Sequence, residues 1–139
     1  MIVDPGILPN QNLLVEKLAE HGLTPADVNV VFLTHSHFDH YANVSLFNQA
    51  KVLEYFGLWE GGVIEDWPVQ FSKDIKIIKT PGHDYSSLAA LVKTDKGVVA
   101  ICGDVFWQKD YPKDDPYAPD RERLAASRPA ASSLNETPY

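Results

Sequence analysis

Three histidines and an aspartate fall within six residues, at His35-Ser36-His37-Phe38-Asp39-His40, directly after the apolar run Val28 to Leu33. Clusters of this kind are metal-ligand patterns, and few folds can accommodate one. In extended backbone, alternate residues point to the same side, so His35 and His37 can converge on one ion. His83 follows another strand-like run and can complete the set. Three neutral imidazoles and a water form a tetrahedral zinc site with one open position. Asp39 and His40 lie where the chain begins to turn, placed for a second ion beside the first. Asp104 closes Cys102-Gly103-Asp104 and has two oxygens with which to bridge both ions. Gly82 and Gly103 each precede a candidate ligand, as suits backbone that must bend closely around a site.

A chain of 139 residues supports one modest domain with a real core. We expect that domain over residues 1–128, followed by a disordered tail over 129–139. The run Pro129-Ala130-Ala131-Ser132-Ser133 has no strand pattern. Cys102 is the sole cysteine, which excludes an internal disulfide and points to the reducing cytosol. The N-terminus lacks a basic region with an apolar signal core, and no apolar run is long enough to span a bilayer. The formal charge of −7 disfavours non-specific wrapping of nucleic acid but leaves a local metal-lined phosphate site open.

Local pattern predicts strands at Ile2-Val3, Val28 to Leu33, Lys51 to Tyr55, Ile75 to Lys79, Leu88 to Val92 and Val98 to Cys102. The last two are joined by the hairpin turn Thr94-Asp95-Lys96-Gly97. A helix is expected from Gln11 to His21, capped by Asn10 and stopped by Gly22, with Leu14 and Leu18 on one face. Thr24-Pro25-Ala26-Asp27 reads as a capped helical turn. Tyr41 to Phe47 and Asp120 to Ser127 are expected to be helical, with Pro129 breaking the latter. Phe56 to Ser72 has no clear period. The run Lys109 to Asp115 is expected to be a solvated loop.

His35-x-His37-x-Asp39-His40 resembles the signature of the metallo-β-lactamase fold superfamily. Asp4-Pro5-Gly6, Thr80-Pro81-Gly82-His83 and Gly103-Asp104 resemble that family's first, third and fourth motifs, in the same order, over residues 1 to 107. The stretch Thr34 to Asn43, with Gly103-Asp104-Val105-Phe106, is most similar to the metallo-β-lactamase domain-containing proteins, a subgroup that includes a histone pre-mRNA endoribonuclease. The resemblance implies an α/β fold, an αββα sandwich with metals at one edge. It implies that His35, His37 and His83 hold one zinc ion, while Asp39, His40 and Asp104 contribute to a second. Iron or manganese are the alternative metals. Asp4 would orient the histidine loop rather than bind metal.

The family normally has strands before the Asp4 motif and a last histidine after Asp104, and no histidine follows His83 here. The expectation is therefore a fold truncated at both ends, with a weaker second site and a tendency to self-associate through an uncovered edge. Cys102 reads as a core residue, which argues against a cysteine-ligand lactamase. The imidazole at His37, where redox di-iron relatives carry a carboxylate, favours hydrolysis.

The resulting expectation is a zinc-dependent hydrolase using metal-activated hydroxide, with Asp39 orienting the nucleophile. The substrate would be an ester, thioester, lactone or phosphodiester. The alternatives are a weakly catalytic metal-binding subunit completed by a partner, and an endoribonuclease of the same fold. Ser36, Ser86 and Ser87 lack a separate base and read as loop hydrogen-bonders. Trp107, Tyr85, Tyr41 and Trp59 are candidates for a pocket mouth.

Overall fold

The computed structural model describes residues 1–106 and 115–132. The chain is mixed α/β and divides into two compact units, Met1–Asp66 and Trp67–Tyr139.

The first unit is built on a five-stranded sheet in the order β1-β2-β3-β4-β5: Ile2–Val3, Val30–Phe32, Lys51–Glu54, Gly57–Glu60 and Val63–Glu65. The first three strands are parallel and the last two antiparallel. Parallel neighbours need crossover segments. Helix α1, Asn12–Glu20, lies in the crossover from β1 to β2, and α2, Phe38–Tyr41, in that from β2 to β3. The central strand β2 is apolar throughout, as a strand covered on both faces requires. Val31 and Phe32 are fully buried, and Leu53 of β3 beside them is equally so. Val28, Val31 and Phe47 form a core cluster onto which Ile2, Leu14 and Leu18 pack. The predicted i,i+4 face of α1 therefore faces the core, whereas Leu13 remains exposed. Gln11 stands at the N-cap position, one residue later than expected, while Asn10 Oδ1 still accepts from the first-turn Asn12 N–H at 3.0 Å. At Thr24, both the backbone N–H and the hydroxyl donate to Asp27 Oδ2, at 2.8 and 2.7 Å. These bonds hold the Asp27 carboxyl below its ordinary range.

The second unit has a four-stranded antiparallel sheet, ordered β6 (Gln70–Ser72), β7 (Ile75–Lys79), β8 (Leu88–Thr94) and β9 (Gly97–Ile101). Ile77, Leu88, Ala89 and Ala90 are buried along its centre. Helix α3 spans Arg121–Ser132, and its Leu124 and Ala131 pack with Val105, Ala118 and Cys102.

Several local expectations are corrected. Phe56 to Ser72 contains β4, β5 and β6, short strands stabilised by pairing rather than by their own pattern. The helical segment expected from Tyr41 begins earlier, at Phe38, and a separate 3₁₀ turn covers Val44–Phe47. Pro129 sits inside α3 rather than ending it. Buried Leu124, Ser127 and Ala131 anchor both sides of the proline, and this packing outweighs the loss of one backbone donor. The run Lys109 to Asp115 lies largely outside the described residues, but its last member, Asp115, is buried, not solvated, and accepts from Tyr117 N–H at 2.9 Å. Most of the proposed tail, residues 133–139, also lies outside the described residues. Among the described residues, no helix is long and apolar enough to cross a membrane.

Phe32 fills the centre of the first sheet with no exposed surface. Phe32→Ala is expected to cost about 3–5 kcal/mol through lost transfer energy and the cavity left behind. Urea unfolding measures it as a lowered midpoint at constant slope.

Candidate metal centre

The histidine cluster begins at the C-terminal end of β2, and Asp4 at the C-terminal end of the adjacent parallel strand β1. Val3 pairs with Phe32, and Asp4 N–H donates to Phe32 O at 3.0 Å. Strand register alone therefore brings Asp4 beside Thr34. The C-terminal ends of parallel strands are where open α/β sheets place their sites. Asp4 has a φ of +44°, which turns the chain sharply off the strand. Aspartate tolerates this left-handed region better than most residues.

The Asp4 carboxylate accepts from the Thr34 backbone N–H at 2.8 Å and from the Thr34 hydroxyl at 2.7 Å. His40 Nδ1 lies 3.0 Å from the same Oδ2. A carboxylate can only accept, so His40 Nδ1 carries a proton, and in the neutral ring the lone pair is on Nε2. The Thr34 hydroxyl has one proton, already given to Asp4. At the 3.1 Å contact between Thr34 Oγ1 and His35 Nδ1, the imidazole must therefore donate. In the neutral ring this leaves the lone pair on His35 Nε2, which lies 2.9 Å from His37 Nδ1. The His35 ring centroid lies 4.5 Å from that of His37 and 4.0 Å from that of His40. His35 is buried, and Asp39 is exposed, with its carboxylate 3.8 Å from His40 Nε2.

Further bonds tie this loop to the segment after Asp4. Ile7 N–H donates to Asp39 O at 3.0 Å, and Asn43 N–H to Pro5 O at 2.8 Å. The Asn43 side-chain amide also donates to Gly6 O. A Cβ on Gly6 would sit 1.8 Å from Asp39 O, so only glycine permits this approach.

In the second unit, His83 Nε2 lies 3.4 Å from Asp104 Oδ2, and His83 is buried. Helix α3 holds both of the loops that carry them. Ser127 Oγ donates to Pro81 O at 2.7 Å, and Asp120 N–H to Gly82 O at 3.2 Å. Gly82 has a φ of +139°, and a Cβ there would meet the Leu124 backbone nitrogen at 2.2 Å. Arg128 Nε donates to Val105 O at 3.1 Å, and its guanidinium lies 5.9 Å from the Phe106 ring centroid, bracing the turn that carries Asp104. Between these two residues in sequence, Ser86 N–H and Oγ both donate to Asp84 Oδ1, and Asp84 N–H donates to Ser87 Oγ. These serines are loop hydrogen-bonders, as their sequence context suggests.

Alternation would have placed Cys102 and Asp104 on one side. It does not extend that far, because β9 ends at Ile101 and Gly103 reverses direction at φ +48°. As expected of a core residue, Cys102 packs in the Val105–Leu124 cluster, where burial pushes its thiol up. Of the aromatic candidates, Trp59 donates its indole N–H to Glu54, Tyr41 packs edge-on to Phe38, Tyr85 is exposed, and Trp107 lies outside the described residues. Sequence reasoning missed Thr34 as the relay to His35, and Ser127 and Arg128 as supports. Thr34 adjoins the cluster and could have been suspected, but nothing in the sequence links the two α3 residues to His83 or Asp104.

Asp4→Ala is expected to destabilise the chain by about 1–3 kcal/mol, since buried donors lose their acceptor. It should also scramble the His35 and His40 tautomers, which imidazole ¹⁵N spectra would detect. Gly82→Ala should lower the melting temperature more than Gly22→Ala, whose added methyl meets nothing within 4 Å.

Residues 1–63 match the family model described as the metallo-beta-lactamase superfamily. The chain is 33% identical over 140 residues to metallo-beta-lactamase domain-containing protein 1 of Xenopus laevis, covering 94% of this chain and 60% of that protein. It is 35% identical over 96 residues to a protein of Methanocaldococcus jannaschii named "Probable metallo-hydrolase", covering 67% of this chain and 46% of the relative. It thus spans roughly half the length of these relatives. A solved metallo-beta-lactamase-like structure from Thermotoga maritima is similar at a TM-score of 0.72 and 25% identity, over 95% of this chain and 75% of the other. An N-acyl homoserine lactone hydrolase is similar at a TM-score of 0.64 and 18% identity, over 81% of this chain and 53% of that one, a likeness of fold alone. The family is one of metal-dependent hydrolases, and the histidines and carboxylates described above are of the type that holds a divalent metal. Family model, relatives and fold agree that this chain carries a metallo-β-lactamase superfamily domain.

Proposed function

We propose that the protein is a zinc-dependent hydrolase of an ester, thioester, lactone or phosphodiester, with His35, His37 and His83 as ligands of one ion and Asp39, His40 and Asp104 contributing to a second. The assignment of ligands to ions rests on the order of the motifs. The observation that carries the reading is the Asp4–Thr34–His35 relay, which leaves the His35 Nε2 lone pair facing His37 Nδ1 at 2.9 Å. Tetrahedral zinc with Zn–N distances of about 2.0–2.1 Å sets two nitrogen ligands roughly 3.3 Å apart. The pair needs to open by only a few tenths of an ångström, so the donor set suits the ion.

Zinc, when bound, supplies a Lewis acid that acidifies water and polarises the electrophile. The chain's own residues supply orientation. Asp4 fixes the His35 and His40 tautomers, so neither ring must reorient to offer its lone pair. Asp39 presents an exposed carboxylate beside His40, placed to accept a proton from the attacking water and to hold its oxygen towards substrate. The single cysteine suits action in a reducing compartment such as the cytosol.

Metal analysis of the purified chain, together with a panel of generic esters, thioesters, lactones and phosphodiesters, tests the reading. The expected result is one or two zinc ions per chain, with turnover lost on chelation and restored by zinc. Iron or manganese in place of zinc would revise the metal. Asp39→Ala should lower kcat by about a hundredfold or more. Full activity in that variant would contradict its role, and a chain with no metal and no turnover would overturn the hydrolase reading.

A further inference from the structure

A cavity of about 480 Å³ opens beside the histidine loop, entirely within the first unit. Its length is lined by Ile2, Val3, Pro5, Ile7, Leu8 and Leu14, and Asp4, Asp39 and His40 line it too. The volume falls in the range of small-molecule sites, which are mostly apolar with a few polar groups that fix orientation. Ile2 and Leu14 are anchored in the core cluster and form the floor. Ile7 and Leu8 form the rim and are 58% and 38% exposed. Two large aliphatic side chains left open beside a ligand cluster suit contact with an apolar partner.

The rim is a built feature. Ile7 N–H donates to Asp39 O, Asn43 N–H donates to Pro5 O, and Gly6 allows the two backbones to touch. The aliphatic wall is thus tied through the backbone to the helix that carries Asp39 and His40.

The lining also discriminates between substrate classes. Among the described residues it contains no lysine or arginine, and its carboxylates are Asp4 and Asp39. A phosphodiester backbone would meet aliphatic carbon along the groove, with no cationic side chain to hold its phosphates. An uncharged ester, thioester or lactone with an aliphatic acyl chain would meet complementary surface.

We propose that this groove binds the aliphatic acyl chain of the substrate, with the carbonyl at the Asp39–His40 end. This rests on the hydrolase reading and narrows it to acyl compounds. The scissile bond is the acyl C–O or C–S bond. Water supplies the new C–O bond, the proton passes to the leaving alcohol or thiol, and no redox partner is required.

The test is a series of acyl esters and thioesters from acetyl to decanoyl, assayed with the zinc-loaded protein. A roughly two- to fourfold rise in kcat/KM per added methylene is expected until the groove is full. Ile7→Ser and Leu8→Ser should flatten that slope, while Val99→Ser, at an exposed apolar position on β9, should keep it. In parallel, octanamide is titrated into the metal-free protein and followed by amide ¹⁵N shifts. Perturbation centred on Ile7, Leu8 and Leu14, with none from acetamide, supports the groove. A flat slope in the unsubstituted protein, or octanamide shifts elsewhere or absent, overturns it. If octanamide binds as expected but no ester or thioester is turned over, the groove stands as an aliphatic site and its assignment to an acyl substrate fails; loss of turnover across the whole panel, phosphodiesters included, is what sinks the hydrolase reading. Turnover with a flat slope leaves the hydrolase and removes the acyl groove.

Discussion

The Asp4 carboxylate is the point on which the first unit's chemistry depends. It accepts from the Thr34 backbone, the Thr34 hydroxyl and His40, groups 30 and 36 residues away in sequence. Hydrogen bonds to a charged group are among the stronger ones, at about 1.5–3 kcal/mol each. Their larger effect here is on proton positions. Because a carboxylate cannot donate, each partner must, and that requirement passes through Thr34 to His35. One acidic residue therefore decides which nitrogen of two imidazoles carries a lone pair. The reach of Asp4 follows from parallel pairing, since the ends of β1 and β2 are neighbours by register. The same turn leads into Gly6 and Ile7: Ile7 N–H donates to Asp39 O in the helix carrying Asp39 and His40, and Gly6 O accepts from the Asn43 amide just after that helix.

The second unit meets the same need by a different route. His83 and Asp104 sit on separate loops, and α3 bonds to the backbone of each, through Ser127 and Arg128 respectively. Adjacent positions on one helix thus grip two loops. The contact of Leu124 with Gly82 is so close that no other residue fits without movement. This role also explains why α3 runs through Pro129. A helix ended at Ser127 would lose Arg128 and the buried Ala131.

The legible parts of this chain were those governed by short-range rules. The run Val28 to Leu33, the hairpin at Thr94 to Gly97, the helix start beside Asn10 and the Thr24 turn each announce themselves within a few residues, and the structure contains all of them. Phe56 to Ser72 was opaque because its strands are three or four residues long and exist through their partners: Trp59 against Val52 and Ile64, Gln70 against Lys76. Asp115 read as solvent-facing because its neighbours are charged, yet it is buried. Cys102 was legible as a core residue, and it packs against the Val105–Leu124 cluster.

Residue type and spacing were sufficient to identify the family and to nominate His35, His37, Asp39, His40, His83 and Asp104, because metal ligation demands particular donor atoms and short spacings expose them. Alternation, caps and turns were likewise sufficient for most elements, because they are local. The tautomers of His35 and His40, the grip of α3 on the His83 and Asp104 loops, and the aliphatic groove ending at Asp39 and His40 were not. Each depends on groups far apart in sequence meeting at hydrogen-bond or van der Waals distance, and pairing and packing bring them there.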